Sequence, residues 1–389
     1  MDFWQIIYII DWIMFGIVAL TVLYMTVFTI AGMFSGHPNI PKARKQNRFI
    51  VLIPSYKGEK VVTETVMAAL GQSYPQRLFD VTVISDHEDE MTNFRLAQYP
   101  ITLLTPNFKN STKARALQFA INNLPQYKLY DVVVILDAGT IVDQNFLQEV
   151  NDAYEVSGTK AIQAHRLSKN RDTEIAHMDA VFEEINNTIF RRGHITIGLS
   201  SALSGSGNAF DFNWFKENIF KIHSTAFDKD IEALLLRQHI FVDFFDDILV
   251  YDEKTRNTKD FNEQRSRWAS TQFHALIKNL RFLPMAIFNR YYGWIDKIIQ
   301  WLLMPRTVMM AVIALMGIVM PFIYFTLAVK WWLLFAFVMF IFALATPDYL
   351  VDKNWNKSFT KAPFIMLASL FGSAKIFQSD KNFVNKNPK

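Results

Sequence analysis

Apolar residues gather into two kinds of run along this chain. The long ones, at residues 12–34, 307–327 and 331–345, carry almost no charge, and about 20 apolar residues cross the hydrocarbon core of a bilayer. They predict three membrane spans, the last two folded into a hairpin around Lys330, with Pro321 interrupting the second. Asp11 is the only charge beside the first span, and the start Met1, Asp2, Phe3, Trp4 lacks the basic residues of a cleavable signal, so this segment reads as a retained anchor. The short runs, at residues 49–54, 81–85 and 132–136, are rich in Val and Ile and each ends at a polar residue. They predict buried strands, with helices at 60–71 and 112–123 between them, and so an α/β domain built on a largely parallel sheet. From 276 to 303, Arg281, Arg290 and Lys297 alternate with Phe282, Phe288, Tyr291, Trp294 and Trp301, a pattern for helices lying at the membrane surface. Residues 363–377 are too short to span and read as one more such helix. The domains expected are therefore an anchor (1–36), a catalytic-sized α/β region (37–275), interfacial helices (276–306), a membrane hairpin (307–346) and a basic tail (347–389).

Composition agrees with a hybrid. With 389 residues, 51% hydrophobic and 15% aromatic, the chain is too apolar for an ordinary soluble enzyme and too charged to be all membrane. Net charge is only +4, and the basic residues sit beside the apolar runs, which favours contact with a lipid bilayer over nucleic acid. Lys42, Arg44, Lys45 and Arg48 follow the first span directly. By the positive-inside rule they predict a multi-pass protein of the inner (plasma) membrane with its central region cytoplasmic. The absence of cysteine excludes disulfides, a thiolate nucleophile and cysteine-ligated zinc.

Candidate chemistry comes from two places. In open α/β sheets ligands bind beyond the carboxyl ends of the strands, so residues 54–59, 86–89 and 137–143 should line one crevice. The second is the cluster Gln264, Arg265, Ser266, Arg267, Trp268, between the α/β region and the membrane hairpin. Arginine grips phosphate with two parallel hydrogen bonds, tryptophan offers a flat face to a sugar or base, and glutamine adds orienting hydrogen bonds.

In chain order the sequence carries Ile53-Pro54-Ser55-Tyr56-Lys57-Gly58-Glu59, Ser85-Asp86, Lys113-Ala114-Arg115-Ala116-Leu117, Leu136-Asp137-Ala138-Gly139, Ser204-Gly205-Ser206-Gly207-Asn208, Asp228-Lys229-Asp230 and the Gln264 to Trp268 pentad. Through these runs it resembles the membrane-embedded processive family 2 glycosyltransferases, the group of cellulose, chitin and hyaluronan synthases. The resemblance implies a GT-A-type (Rossmann-like) cytosolic domain, a UDP-sugar donor and inverting transfer to a growing polysaccharide, the glycan acceptor. By it, Tyr56 and Glu59 contact uridine, Asp86 recognises uracil or ribose, and Lys113 points to the diphosphate. Asp230 is the general base, Gln264, Arg265 and Arg267 hold the leaving diphosphate, and Trp268 floors the acceptor sugar. The loop Gly205, Ser206, Gly207, Asn208 lets backbone approach that sugar closely.

One departure bears on the metal. The family's second metal-binding acid is replaced by Gly139, so Mg²⁺ or Mn²⁺ would be held by Asp137 alone or with help from Asp143. Alternatively Lys113, Arg265 and Arg267 carry the leaving-group charge without metal. Two other functions share the residues: a weakened subunit of a synthase complex, and a single-addition transferase acting on a lipid phosphate. A partner subunit or an oligomer is compatible with three spans in one chain.

Overall fold

The computed structural model describes residues 3–36, 40–58, 61–352 and 355. Its sheet has eight strands: β1 (Phe49–Tyr56), β2 (Phe79–Asp86), β3 (Thr102–Leu104), β4 (Val132–Ile135), β5 (Ile141–Val142), β6 (Ala161–Ser168), β7 (Asn208–Asp211) and β8 (Asp243–Asp252), in the order β3-β2-β1-β4-β7-β6-β8-β5. Alternation along β1 explains why its apolar run is unbroken. Phe49, Val51 and Ile53 enter a core shared with the helices Val61–Leu70 and Phe146–Ser157, while Ile50 and Leu52 enter a second one with Lys113–Asn123 on the other face. A strand covered on both faces has no solvent side to make polar. Each such side chain taken from water contributes about 1.5–3 kcal/mol.

The sheet is mixed where a largely parallel one was expected. β1 to β4 do run parallel, but β7 pairs antiparallel with both β4 and β6, and β5 pairs antiparallel with β8. The reversal at β7 carries the loop before it, residues 203–207, back over the carboxyl end of β4. That loop becomes a wall of the site.

Three helices are long and apolar enough to cross a membrane: Trp4–Met33, Arg306–Ile323 and Phe325–Leu344. The anchor helix, Phe3–Met33, begins well before residue 12, so Asp11 lies inside it. The carboxylate is paired there, with the Lys330 ammonium and with Trp331 Nε1 at 2.8 Å. Lys330, expected between the two hairpin spans, lies within the helix Phe325–Leu344 and stands 3.8 Å from the Trp12 ring centroid. The helices are longer than charge-free counting predicts because these two charges neutralise each other. The hairpin breaks instead at Tyr324. Pro321 has no N–H to give Gly317, and the Gly317 carbonyl accepts from Trp332 Nε1 across the hairpin at 3.0 Å.

Val18, Val22, Met25, Thr29 and Gly32 recur every three or four residues and form the buried face of the anchor. Its last turns dock on the catalytic region, against the π-helical segment Asn187–Arg192 and the helix Gly193–Ile197. A Cβ at Gly193 would stand 2.1 Å from the Phe28 carbonyl oxygen, so only glycine lets the two backbones cross there. The amphipathic region is three helices, Thr258–Leu280, Leu283–Phe288 and Tyr292–Leu302. The first is capped by Asn257 Oδ1 accepting from Asp260 N at 2.9 Å and runs through the expected boundary at 275. The surface helix expected at 363–377 and the basic tail lie outside the described residues.

Candidate active site

A cavity of about 1080 Å³ runs from the carboxyl end of β4 to the anchor helix and the start of the second span. Asp137 follows β4 and forms part of its floor. Lys113 opens the helix Lys113–Asn123, whose N-terminus is capped by Thr112, and its ammonium meets Asp137 Oδ1 at 2.6 Å and the Gly205 carbonyl. The Asp137 side chain remains 38% exposed. Burial pushes its carboxyl above the usual range, the nearby Asp228 adds to this, and Lys113 opposes it. Gly139, at φ 95°, has a left-handed backbone that an L-residue adopts only under strain. The missing second acid is therefore a property of the turn as well as of the side chain.

Opposite, the helix Thr258–Leu280 turns Gln264, Arg265, Arg267 and Trp268 into the same cavity. The Arg265 guanidinium lies between the rings of Phe261 and Trp268, 4.7 and 4.5 Å from their centroids, and pairs with Asp179. Behind it Glu183 is surrounded by Arg166, Lys254, Arg191 and Arg265. Burial alone would raise its pKa, but these four cations hold it well below the ordinary carboxylate value.

The two acids of Asp228-Lys229-Asp230 part company. Asp228 lines the cavity, beside Gly205, and its Oδ1 is buried with no hydrogen-bond partner among the described residues. Asp230 does not line it. Its carboxylate accepts from Lys278 Nζ at 2.8 Å and from Ser224 Oγ at 2.7 Å, on the side facing the interfacial helices. Both stand in the first turn of the helix Phe227–Arg237, and a helix rotates about 100° per residue, so acids two apart look in opposed directions. The acid that sequence resemblance made the base thus faces away from the cavity, and the neighbour it passed over faces in.

The glycine loop also divides. Gly205 lines the cavity, whereas Ser206, Gly207 and Asn208 are not part of the lining. They brace the wall from behind: Ser206 Oγ accepts from Asp137 N at 3.0 Å, Gly207 N donates to Ile135 O at 3.0 Å, and Asn208 Nδ2 donates to Ser204 O at 2.7 Å. Tyr56 and Asp86 are register partners at the ends of β1 and β2, joined through His87, whose Nδ1 lies 2.6 Å from Asp86 and whose ring meets Tyr56 edge-on. They stand beyond the cavity lining, past Gly58, which does line it. Lys57 and His87 both have positive φ, 53° and 61°, a costly backbone that clusters at functional sites. Glu88, which no motif signalled, fixes this corner by accepting from Gly58 N at 2.5 Å and Ser55 Oγ at 2.6 Å. Glu59 lies outside the described residues.

A second unforeseen feature is a buried polar chain from the first helix to the site. Tyr24 of the anchor donates to Asp296 Oδ1 at 2.6 Å, Gln300 Nε2 to Asp296 Oδ2 at 2.7 Å, and Lys297 Nζ to Gln300 Oε1 at 2.9 Å and Glu232 Oε1 at 3.4 Å. Glu232 lies one turn after Asp228, and its Oε1 takes Leu203 N at 2.6 Å, at the head of the loop lining the cavity. Burial alone would raise its pKa; Lys229, Lys297 and the Leu203 N–H hold it below the usual value.

Among solved structures, the mannosyltransferase PcManGT from Pyrobaculum calidifontis, in complex with GDP-Man and Mn²⁺, is 13% identical with a TM-score of 0.54, covering 93% of this chain and 99% of that one. Residues 1–349 of S. aureus TarS, in complex with UDP-GlcNAc, are 13% identical with a TM-score of 0.43, covering 85% of this chain and 92% of that one. No curated protein matches the chain. The first likeness is one of fold, the Rossmann-like GT-A architecture expected from the sequence. The sequence profile of Glycosyl transferase family group 2 matches residues 132–346, more than half of the chain and a stretch running from β4 through the helix Phe325–Leu344. The chain belongs to that family of glycosyltransferases.

Proposed function

We propose that this protein is an inverting, membrane-bound transferase that moves a hexose from a UDP-sugar to a growing polysaccharide at the cytoplasmic face of the inner membrane, in the manner of the processive synthases. One observation carries the reading: Lys113, Asp137 and Asp228 share a single cavity with Gln264, Arg265, Arg267 and Trp268. Cationic groups to receive a leaving diphosphate and a carboxylate in the same cavity to take a proton are what an inverting substitution requires. Asp228 takes the proton of the acceptor hydroxyl as that oxygen bonds to the anomeric carbon. The bond from this carbon to the donor phosphate breaks, and the nucleoside diphosphate leaves against Lys113 and Arg267. Trp268 supports the acceptor ring, and the uridine extends past Gly58 toward Tyr56 and Asp86. The basic residues 42–48 after the anchor support a cytoplasmic site.

Mg²⁺ or Mn²⁺ belongs to the same proposal. Among the described residues no three His, Cys, Asp or Glu side chains converge as a metal cluster; a cation here would be held by Asp137, which lines the cavity, together with donor phosphate oxygens. When bound, it supplies positive charge to the leaving diphosphate.

The purified chain, offered a panel of nucleotide-sugars with Mg²⁺ or Mn²⁺, should release UDP from one of them and lengthen a glycan. Lys113→Met should lower that rate by about 10²–10³-fold, the usual loss for one preorganised group at a developing charge. No release from any donor would favour the subunit reading. A single lipid-linked sugar would favour single addition.

A further inference from the structure

Taken as spans, the three long helices set a scale of depth. The last two meet at Tyr324 and run from there over 18 and 20 residues, to Arg306 and Leu344. At 1.5 Å per residue that is about 30 Å, the thickness of a hydrocarbon core. Trp4 of the anchor stands at the Tyr324 end, with ring centroids 6.1 Å apart. The same distance along the anchor, about 20 residues on, ends at Tyr24.

That scale puts part of the α/β domain at the depth of lipid headgroups. His194 Nε2 lies 2.9 Å from the Tyr24 hydroxyl, and its ring stacks on Phe28, one turn further along, with centroids 3.8 Å apart. The helix Gly193–Ile197 is therefore level with the last turns of the anchor, and its final residue, Ile197, is 49% exposed there. The loop after the helix Phe227–Arg237 is pinned beside it, Ser201 N donating to Val242 O at 2.9 Å and Val242 N to Ser200 Oγ at 3.0 Å. This loop leaves Phe241 46% exposed, and His239, at φ 57°, meets Tyr291 edge-on at 4.2 Å. Single exposed apolar side chains are ordinary on a surface facing water. Here they form an edge that runs from the anchor to the amphipathic helices, where Phe288 and Tyr292 are exposed as well, and an apolar edge of this kind marks a contact surface.

We propose that residues 195–199 and 239–242 form a lip of the α/β domain that enters the headgroup layer of a phospholipid bilayer, with Ile197 and Phe241 reaching the acyl boundary. The proposal rests on the reading of the three long helices as membrane spans and goes beyond it, because the lip belongs to the sheet domain and not to any apolar or amphipathic helix. It fixes that domain to the bilayer by its own residues, so that the domain does not swing about the anchor.

The absence of cysteine from the chain makes a direct test possible. Ile197→Cys, Phe241→Cys, Phe94→Cys and Leu20→Cys, each in the full chain, are labelled with nitrobenzoxadiazole and reconstituted in vesicles of phosphatidylcholine and phosphatidylglycerol. Fluorescence is then quenched by iodide from the water and by lipids brominated on the acyl chains. Phe94, 65% exposed, belongs to the helix Glu90–Leu96, which leads into β3 at the other end of the sheet from β8; Leu20 is exposed on the anchor. Labels at 197 and 241 should be quenched several-fold less by iodide, and several-fold more by brominated lipid, than the label at 94. Thr196→Cys, at the exposed neighbour of Ile197, gives a second reading of the same loop should Ile197→Cys lower the thermal unfolding midpoint. Iodide reaching 196, 197 and 241 as freely as it reaches 94, with Leu20 quenched by brominated lipid, would overturn the lip and leave the spans standing. A label at Leu20 that brominated lipid does not quench would overturn the spans and the lip together.

Discussion

Asp228→Asn is expected to lower sugar incorporation by about 10²–10⁴-fold, the contribution of a positioned general base, with UDP binding nearly unchanged. The amide keeps the shape of the side chain but removes the charge that accepts the proton. Its Oδ1 has no partner in the cavity wall, so little structure depends on it. Asp230→Asn makes the contrast. That change breaks a pair between Asp230, whose side chain is buried, and Lys278, whose side chain is 53% exposed, away from the cavity lining. Radiolabelled sugar incorporation by membranes carrying each variant, alongside nucleotide binding to the purified proteins, separates the two. Loss of transfer from Asp230→Asn with Asp228→Asn active would return the base to the position that resemblance chose.

The second large effect is expected far from any substrate. Lys297→Met takes from buried Glu232 its deepest cation and leaves it Lys229 Nζ at 3.3 Å, so the loss should fall somewhat below about 3–5 kcal/mol, the cost of a buried charge left without any partner. The loss should reach the site, because Glu232 also holds Leu203 N at 2.6 Å. Thermal unfolding of the detergent-solubilised chain measures the first part, and kcat measures the second. The double change Lys297→Met with Glu232→Gln should recover much of the stability, since both members of the buried pair are then neutral, but not the turnover. The pH dependence has a definite sign. Glu232 is held below its ordinary pKa, so its contribution is present above the usual carboxylate range and fades as the pH falls through it. Tyr24→Phe, at the membrane end of the same chain of hydrogen bonds, should produce a smaller loss in the same direction.

Much of this was legible along the sequence. The strands at 49–54 and 132–136 stand where periodicity puts them, because burial on both faces of a strand dictates residue type locally, and the three apolar runs fall on the three long helices although their limits differ. What the sequence hid is tertiary. Asp11 and Lys330 looked like span limits because their mutual pairing across 319 residues is invisible in either segment. The direction of β7 depends on how its loop returns over β4, which no local propensity sets. Between Asp228 and Asp230 the choice turns on where the helix begins, a matter of one or two residues. The motif supplied the pair of acids, and only the rotation of the helix decides which one meets a substrate. Tyr24 reads as one more aromatic in an apolar helix, and Arg306 as a flanking charge, until Asp296 and the Phe182–Asn186 turn are brought beside them.

The account stands on one location, the cavity between the end of β4 and the helix Thr258–Leu280. A structure of the full chain bound to UDP tests it most directly. It should show the diphosphate within hydrogen-bond reach of Lys113, between Asp137 and Arg267, with Asp228 on the opposite side of an open acceptor space. UDP bound anywhere else on the protein, or bound with the Gln264 to Trp268 face remote from its phosphates, would contradict the account.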